Sequence, residues 1–138
     1  MFRPSTDVAP RVVGFASRQK GSYYLCMENG APRLAFIDTL VHELTHIWQY
    51  INWDDSEIEK IYGTGSNRDI VYEGMASWAA IQYMYQIGET SYAELQEYLV
   101  ASRDDVYGEG LRLFREKYPF IKDFTMHKFS PFTCMPPL

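Results

Sequence analysis

The run His42-Glu43-Leu44-Thr45-His46 restricts this chain more tightly than any other stretch. On a helix, residues four apart lie one turn apart on the same face, so both imidazoles aim at a single point. Two neutral imidazoles so placed match a tetrahedral Zn²⁺ site. Glu43 lies beside that point, where a carboxylate can take a proton from a water. The flanking residues Ile37, Leu40, Val41, Leu44, Ile47, Trp48 and Ile51 recur at threes and fours. That period predicts an amphipathic helix from about Arg33 to Ile51 with those residues as its core face. His42, Glu43 and His46 fall largely off the face. Three titratable groups beside an apolar stripe are costly to bury unless they share a partner, and their types select a metal. The plainer alternative is a buried helix with two satisfied histidines. Asp38, one turn before His42, either steadies the second ring nitrogen of that histidine or is a solvated helix residue.

A second helix is expected from Asp69 to Ile87, with Glu73 as its acidic residue beyond the first turn. Around Glu73 stand Gly74, Ala76, Ser77 and Ala80, small residues that admit a neighbouring helix. A lone carboxylate in such company carries a raised pKa and a desolvation cost unless it meets a cation. Glu73 is therefore the candidate third ligand. The alternatives are an exposed Glu favoured by the helix dipole, and Asp69 as the ligand instead.

The remaining elements read as follows. Arg11–Ser17 and Ser22–Glu28 are β-rich runs around Gln19-Lys20-Gly21, a hairpin pattern. It covers one side of the core or holds an extended peptide by edge pairing. Asn29-Gly30-Ala31-Pro32 is a turn, and Pro32 suits the start of the metal-motif helix. Asp54–Lys60 reads as a polar insert and Gly63–Asn67 as a loop of turn formers. Ser91-Tyr92-Ala93-Glu94 is a capping box, opening a helix with Leu95, Tyr98 and Leu99 on one side. Asp104-Asp105 restarts the chain into Val106–Tyr118, with Leu111, Phe114 and Tyr118 as a core stripe. His127, in the Phe-rich tail, is either a second proton donor or a structural histidine.

His42-Glu43-x-x-His46 followed on the next helix by Glu73-Gly74-x-Ala76 resembles the gluzincin branch of the zinc metallopeptidases. His-Glu-Leu-Thr-His-Ile-Trp, then Tyr72-Glu73-Gly74, then Tyr107-Gly108-Glu109-Gly110-Leu111-Arg112 is similar to the peptidase domain of the DA1-like proteins, over roughly residues 21 to 117. The resemblance implies one Zn²⁺ on His42, His46 and Glu73, with Glu43 as general base. Tyr107 and Arg112 match the third motif, and a hydroxyl or guanidinium there can stabilise an oxyanion; a packed Tyr and a surface Arg are the alternative. Ser77 stands where several gluzincins place an Asp that braces the first histidine.

The formal net charge of −5 and pI near 5.1 argue against a nucleic-acid partner. No apolar run approaches membrane-spanning length, and Met1–Thr6 lacks an apolar signal core, so a cytoplasmic location is expected. Cys26 and Cys134 form no Cys-x-x-Cys pattern and read as free thiols, with mutual pairing or a thiol ligand as alternatives. The expected protein is a single α+β zincin-like domain over 1–138: an N-terminal β-hairpin or small sheet and a mainly helical remainder around the motif helix. The expected reaction is hydrolysis of a peptide bond in a peptide or protein substrate. The alternatives are a non-catalytic zincin-fold module that binds zinc or a peptide, and a metal hydrolase acting on a non-peptide amide or ester.

Overall fold

The computed structural model describes residues 14–27, 30–122 and 130–138. Two antiparallel strands, β1 (Gly14–Gln19) and β2 (Ser22–Met27), precede five helices: α1 (Arg33–Asn52), α2 (Asp55–Tyr62), α3 (Ser66–Gln86), α4 (Thr90–Ala101) and α5 (Val106–Lys117). A short 3-10 turn, Pro131–Thr133, follows. The chain is thus a small α+β fold. Among the described residues no helix is long and apolar enough to cross a membrane.

The hairpin closes through Lys20 and Gly21, both at positive φ (49° and 78°), with Gln19 opposite Ser22. Two positive-φ residues make the turn whose twist matches a right-handed strand pair. The first strand therefore runs on to Gln19, which the sequence pattern had assigned to the turn; Arg11–Val13 and Glu28 lie outside the described residues.

Helix α3 is the hub, and α1, α2, α4 and α5 all pack on it, while the hairpin packs on α1. Thirteen residues of α3 between Val71 and Tyr85 are buried. Its small residues do what their sizes suggest. A Cβ on Gly74 would lie 2.6 Å from backbone atoms of Gly110, and one on Gly110 would lie 2.5 Å from the Gly74 Cα. The α3 and α5 backbones therefore meet without side chains between them. Leu111 and Phe114 of α5 are fully buried and Tyr118 nearly so, as the stripe predicts. Each such burial contributes roughly 1.5–3 kcal/mol.

Helix α1 departs from expectation in which face it buries. Leu44 and Ile51 are 48 % and 60 % exposed, whereas Thr45, His46 and Gln49 are buried. The helix is rotated toward the hydrogen-bonding groups of α3, and each polar group it buries is satisfied. The Thr45 hydroxyl donates to the Val41 carbonyl at 2.8 Å, and Gln49 Nε2 donates to the Tyr72 carbonyl at 3.0 Å. Ile37, Val41 and Trp48 supply the apolar part of the contact.

Three further differences have local causes. The segment read as a polar insert is helix α2: Asp54 caps it by accepting from the Ser56 N–H at 2.9 Å, Ile58 is buried in the core, and Tyr62 packs against it. Helix α3 begins at Ser66, so Ser66 and Asn67 belong to its first turn instead of the preceding loop. Helix α4 starts at Thr90 with no side-chain cap, and Leu95, Tyr98 and Leu99 face outward. Its buried residue is the small Ala93, with Tyr92, Val100 and Ala101 packed partly buried against the core, and Glu97 accepts from the Tyr85 hydroxyl at 2.6 Å.

Candidate metal centre

The predicted ligands converge. Helix α1 places His42 and His46 one turn apart, with ring centroids 4.9 Å apart at 77°. Helix α3 brings Glu73 between them, so that the Nε2 atoms of His42 and His46 lie 3.0 and 2.8 Å from one carboxylate oxygen, Oε1. One ligand atom from each of the three residues falls within 4.8 Å of the others.

A residue absent from the sequence reading fixes the chemistry of His46. Gln49 Nε2 donates to the Tyr72 carbonyl, so its Oε1 is the acceptor that faces His46 Nδ1 at 2.8 Å. Nδ1 then carries a hydrogen, so that Nε2 presents a lone pair toward Glu73 in the neutral ring and donates a second hydrogen to it in the charged ring. A lone pair aimed at a carboxylate repels it unless a proton or a cation lies between. Two imidazole nitrogens and one carboxylate oxygen are a donor set that Zn²⁺, a borderline-soft ion, accepts. The residues fit the ion.

The electrostatics follow the same geometry. Burial acts to raise Glu73, but hydrogen bonds from both histidines outweigh it and hold the carboxyl at about 2. Burial acts to lower His46, and the bond and charge of Glu73, with Gln49, reverse that into a raised pKa. Glu43 is raised by burial, against the opposing charges of His42 and His46.

Glu43, His42, His46 and Glu73 line an open cavity of about 330 Å³. Its opposite wall is strand β1, through Gly14, Phe15 and Ala16, and the Ala16 N–H donates to the Glu43 carboxylate. In a two-residue hairpin the closing pair, Gln19 and Ser22, exchanges hydrogen bonds, and pairs then alternate. Gly14, Ala16 and Arg18 thus turn their backbone N–H and C=O groups away from β2, toward an edge that pairs with no other strand among the described residues. Arg18 ties the strand down: its Nη1 donates to the Tyr50 carbonyl and its Nη2 to Asp55, both at 3.2 Å.

Tyr107, from the first turn of α5, also lines the cavity, its ring 6.1 Å from that of His42. Burial, with the charge of Glu73, raises its phenol to about 12. The Gly74–Gly110 approach sets Tyr107 beside Glu73. Tyr50, also unforeseen, stacks on His46 at 6.4 Å and 18° and lines the same cavity. Both Gln49 and Tyr50 follow the motif directly, and a Gln one turn after a ligand histidine is the available signal.

The other candidates are placed elsewhere. Arg112 Nη1 donates to the carbonyls of Ala101 and Arg103 at 2.7 and 3.0 Å, which secures the end of α4. Asp38 is partly buried, not solvated, and accepts from the Tyr92 hydroxyl at 3.0 Å. Burial raises its pKa, against that bond and the charge of His42. Asp69 lines the cavity, but Glu73 is the carboxylate that meets the histidines. Cys26 and Cys134 are free, and His127 lies outside the described residues. Comparison with known protein families, curated proteins and solved structures finds no match.

Gln49→Met keeps the volume and removes the bond that sets the His46 tautomer. Zinc affinity is expected to fall about 10- to 100-fold, as read by competition with a chromophoric chelator. Unchanged affinity would remove Gln49 from the metal centre.

Proposed function

We propose that this chain is a zinc-dependent peptidase of the gluzincin kind, with His42, His46 and Glu73 holding one Zn²⁺ and Glu43 as general base. The observation that carries the reading is the convergence of both Nε2 atoms on one Glu73 oxygen, in the wall of a cavity that Glu43 and the outer edge of β1 also line. A bound zinc ion supplies Lewis acidity, polarising a carbonyl and acidifying a water. The chain's own residues supply the rest. The β1 edge pairs with an extended peptide and lays it across the cavity. Glu43, made more basic by burial, takes the proton from the attacking water and passes it to the leaving amine. Tyr107 stays protonated at neutral pH and donates to the developing oxyanion. The free thiols of Cys26 and Cys134 favour a reducing compartment such as the cytoplasm.

The test is the metal content of the purified protein and of Glu73→Ala, with cleavage assayed on peptides and on non-peptide amides and esters. About one zinc per chain is expected, bound on the order of 100-fold more weakly in the variant. Full retention in the variant would move the third ligand elsewhere. Absence of zinc in both proteins would return the histidines to a structural role. Zinc without turnover would favour a binding module, and turnover of esters alone a non-peptide hydrolase.

A further inference from the structure

The cavity has one cationic side chain among its lining residues, Arg68, on the first turn of α3. Its carboxylate neighbours hold it loosely. Arg68 Nη2 is 3.9 Å from Asp55, and Arg68 Nε is 3.9 Å from Glu59. Asp55 is already engaged, by Arg18 at 3.2 Å and by the Tyr72 hydroxyl. The buried Nε finds no hydrogen-bond partner among the described residues. Other arginines here are paired more closely: Arg103 to Asp105 at 2.6 Å and Arg115 to Glu97 at 3.1 Å.

The orientation of Arg68 is nonetheless fixed. Its guanidinium lies over the ring of Tyr72, 4.9 Å from the centroid, and Tyr72 adjoins the ligand Glu73. The Tyr72 hydroxyl also accepts from the guanidinium, and the terminal N–H groups left over on the cavity side can pair with a carboxylate in charge-assisted hydrogen bonds. The side chain remains one-third exposed (33 %), so a ligand in the cavity reaches it.

Resting on the peptidase reading above, we infer that Arg68 selects the substrate by receiving one of its carboxylates. The carboxylate is either the peptide C-terminus or an Asp or Glu side chain close to the scissile bond. The first source makes the protein a carboxypeptidase and the second an endopeptidase with acidic preference.

The experiment uses zinc-loaded Glu43→Gln protein, so that binding is read without turnover. The probes are short fluorescent peptides of one neutral sequence: blocked at both ends, with a free C-terminus, with a central Glu, or with a central Lys. One carboxylate-bearing peptide is expected to bind about tenfold more tightly than the blocked neutral one, the gain of a charge-assisted hydrogen bond. Whichever peptide it is identifies the source. Adding Arg68→Gln should erase the difference while leaving zinc content and neutral-peptide binding unchanged, with Arg68→Lys between the two. Equal binding of neutral and carboxylate peptides, preference for the Lys peptide through Asp69, or preference that survives Arg68→Gln overturns the inference. Cleavage of the same peptides by the unmodified protein separates the two readings. Carboxylate preference without cleavage sinks hydrolysis and leaves Arg68 as the recognition group, and cleavage without preference does the reverse.

Discussion

Glu43→Gln is expected to abolish the proposed turnover, by a factor on the order of 10³ or more, while zinc content stays that of the parent. Glutamine keeps the shape of glutamate and its ability to accept from the Ala16 N–H, but it cannot take a proton. A positioned general base contributes typically about 10² to 10⁴ in rate, and here the same carboxyl would serve both the attacking water and the leaving amine. Glu43 does not belong to the three-ligand cluster of His42, His46 and Glu73, so metal content is a clean control. The measurement is cleavage rate and zinc stoichiometry on one preparation. Full activity in the variant would refute the proposed mechanism, and loss of zinc along with activity would make Glu43 a ligand.

A large effect on stability is expected from Gly110→Ala. The added methyl would stand 2.5 Å from the Gly74 Cα and from the Ile70 carbonyl oxygen, both backbone atoms of a helix buried on most of its length. Backbone cannot swing aside as a side-chain tip can, so α3 and α5 must separate along their contact. Overpacking of this kind costs about 3 kcal/mol or more, a fall in Tm on the order of 10 °C for a domain of this size. Separation also shifts Glu73, next to Gly74, relative to Tyr107, three residues before Gly110, so zinc affinity should weaken in parallel. Thermal melting of the metal-free and zinc-loaded variant reads both. A variant that melts within about 1 kcal/mol of the parent would show that the crossing relaxes easily.

The sequence made some of this legible and hid the rest for identifiable reasons. His42 and His46 were readable because their spacing has the same meaning on any helix. Glu73 was readable because a lone acid among Gly74, Ala76 and Ala80 demands a partner. The face that α1 buries was not readable, because periodicity shows that a stripe exists without showing what α3 offers to it. A helix whose backbone carbonyl at Tyr72 accepts from Gln49 rewards a polar stripe, and Leu44 and Ile51 turn to solvent. The same ambiguity misplaced Leu95, Tyr98 and Leu99 on α4. Helix α2 was obscured by its charge, since the signal for it lies in one cap, Asp54, and one anchor, Ile58. Arg68 was invisible as a cavity residue, because its meaning comes from what α2 places around it.

Several ties hold α1 against α3 without involving the candidate ligands. They are the Gln49 bond to the Tyr72 carbonyl, the edge-on packing of Trp53 against Tyr72 at 5.2 Å, and the apolar contacts of Ile37, Val41 and Trp48. In small zinc domains the ion assembles its own ligands, and most of its binding energy is consumed in folding the chain. Here the ordering entropy of the ligands is met by the helix interface before any ion arrives. With zinc as proposed, the centre would be a preformed receptor: ion capture and release are expected to leave the scaffold folded, and changes that disturb the interface are expected to reach the affinity through the placement of the ligands.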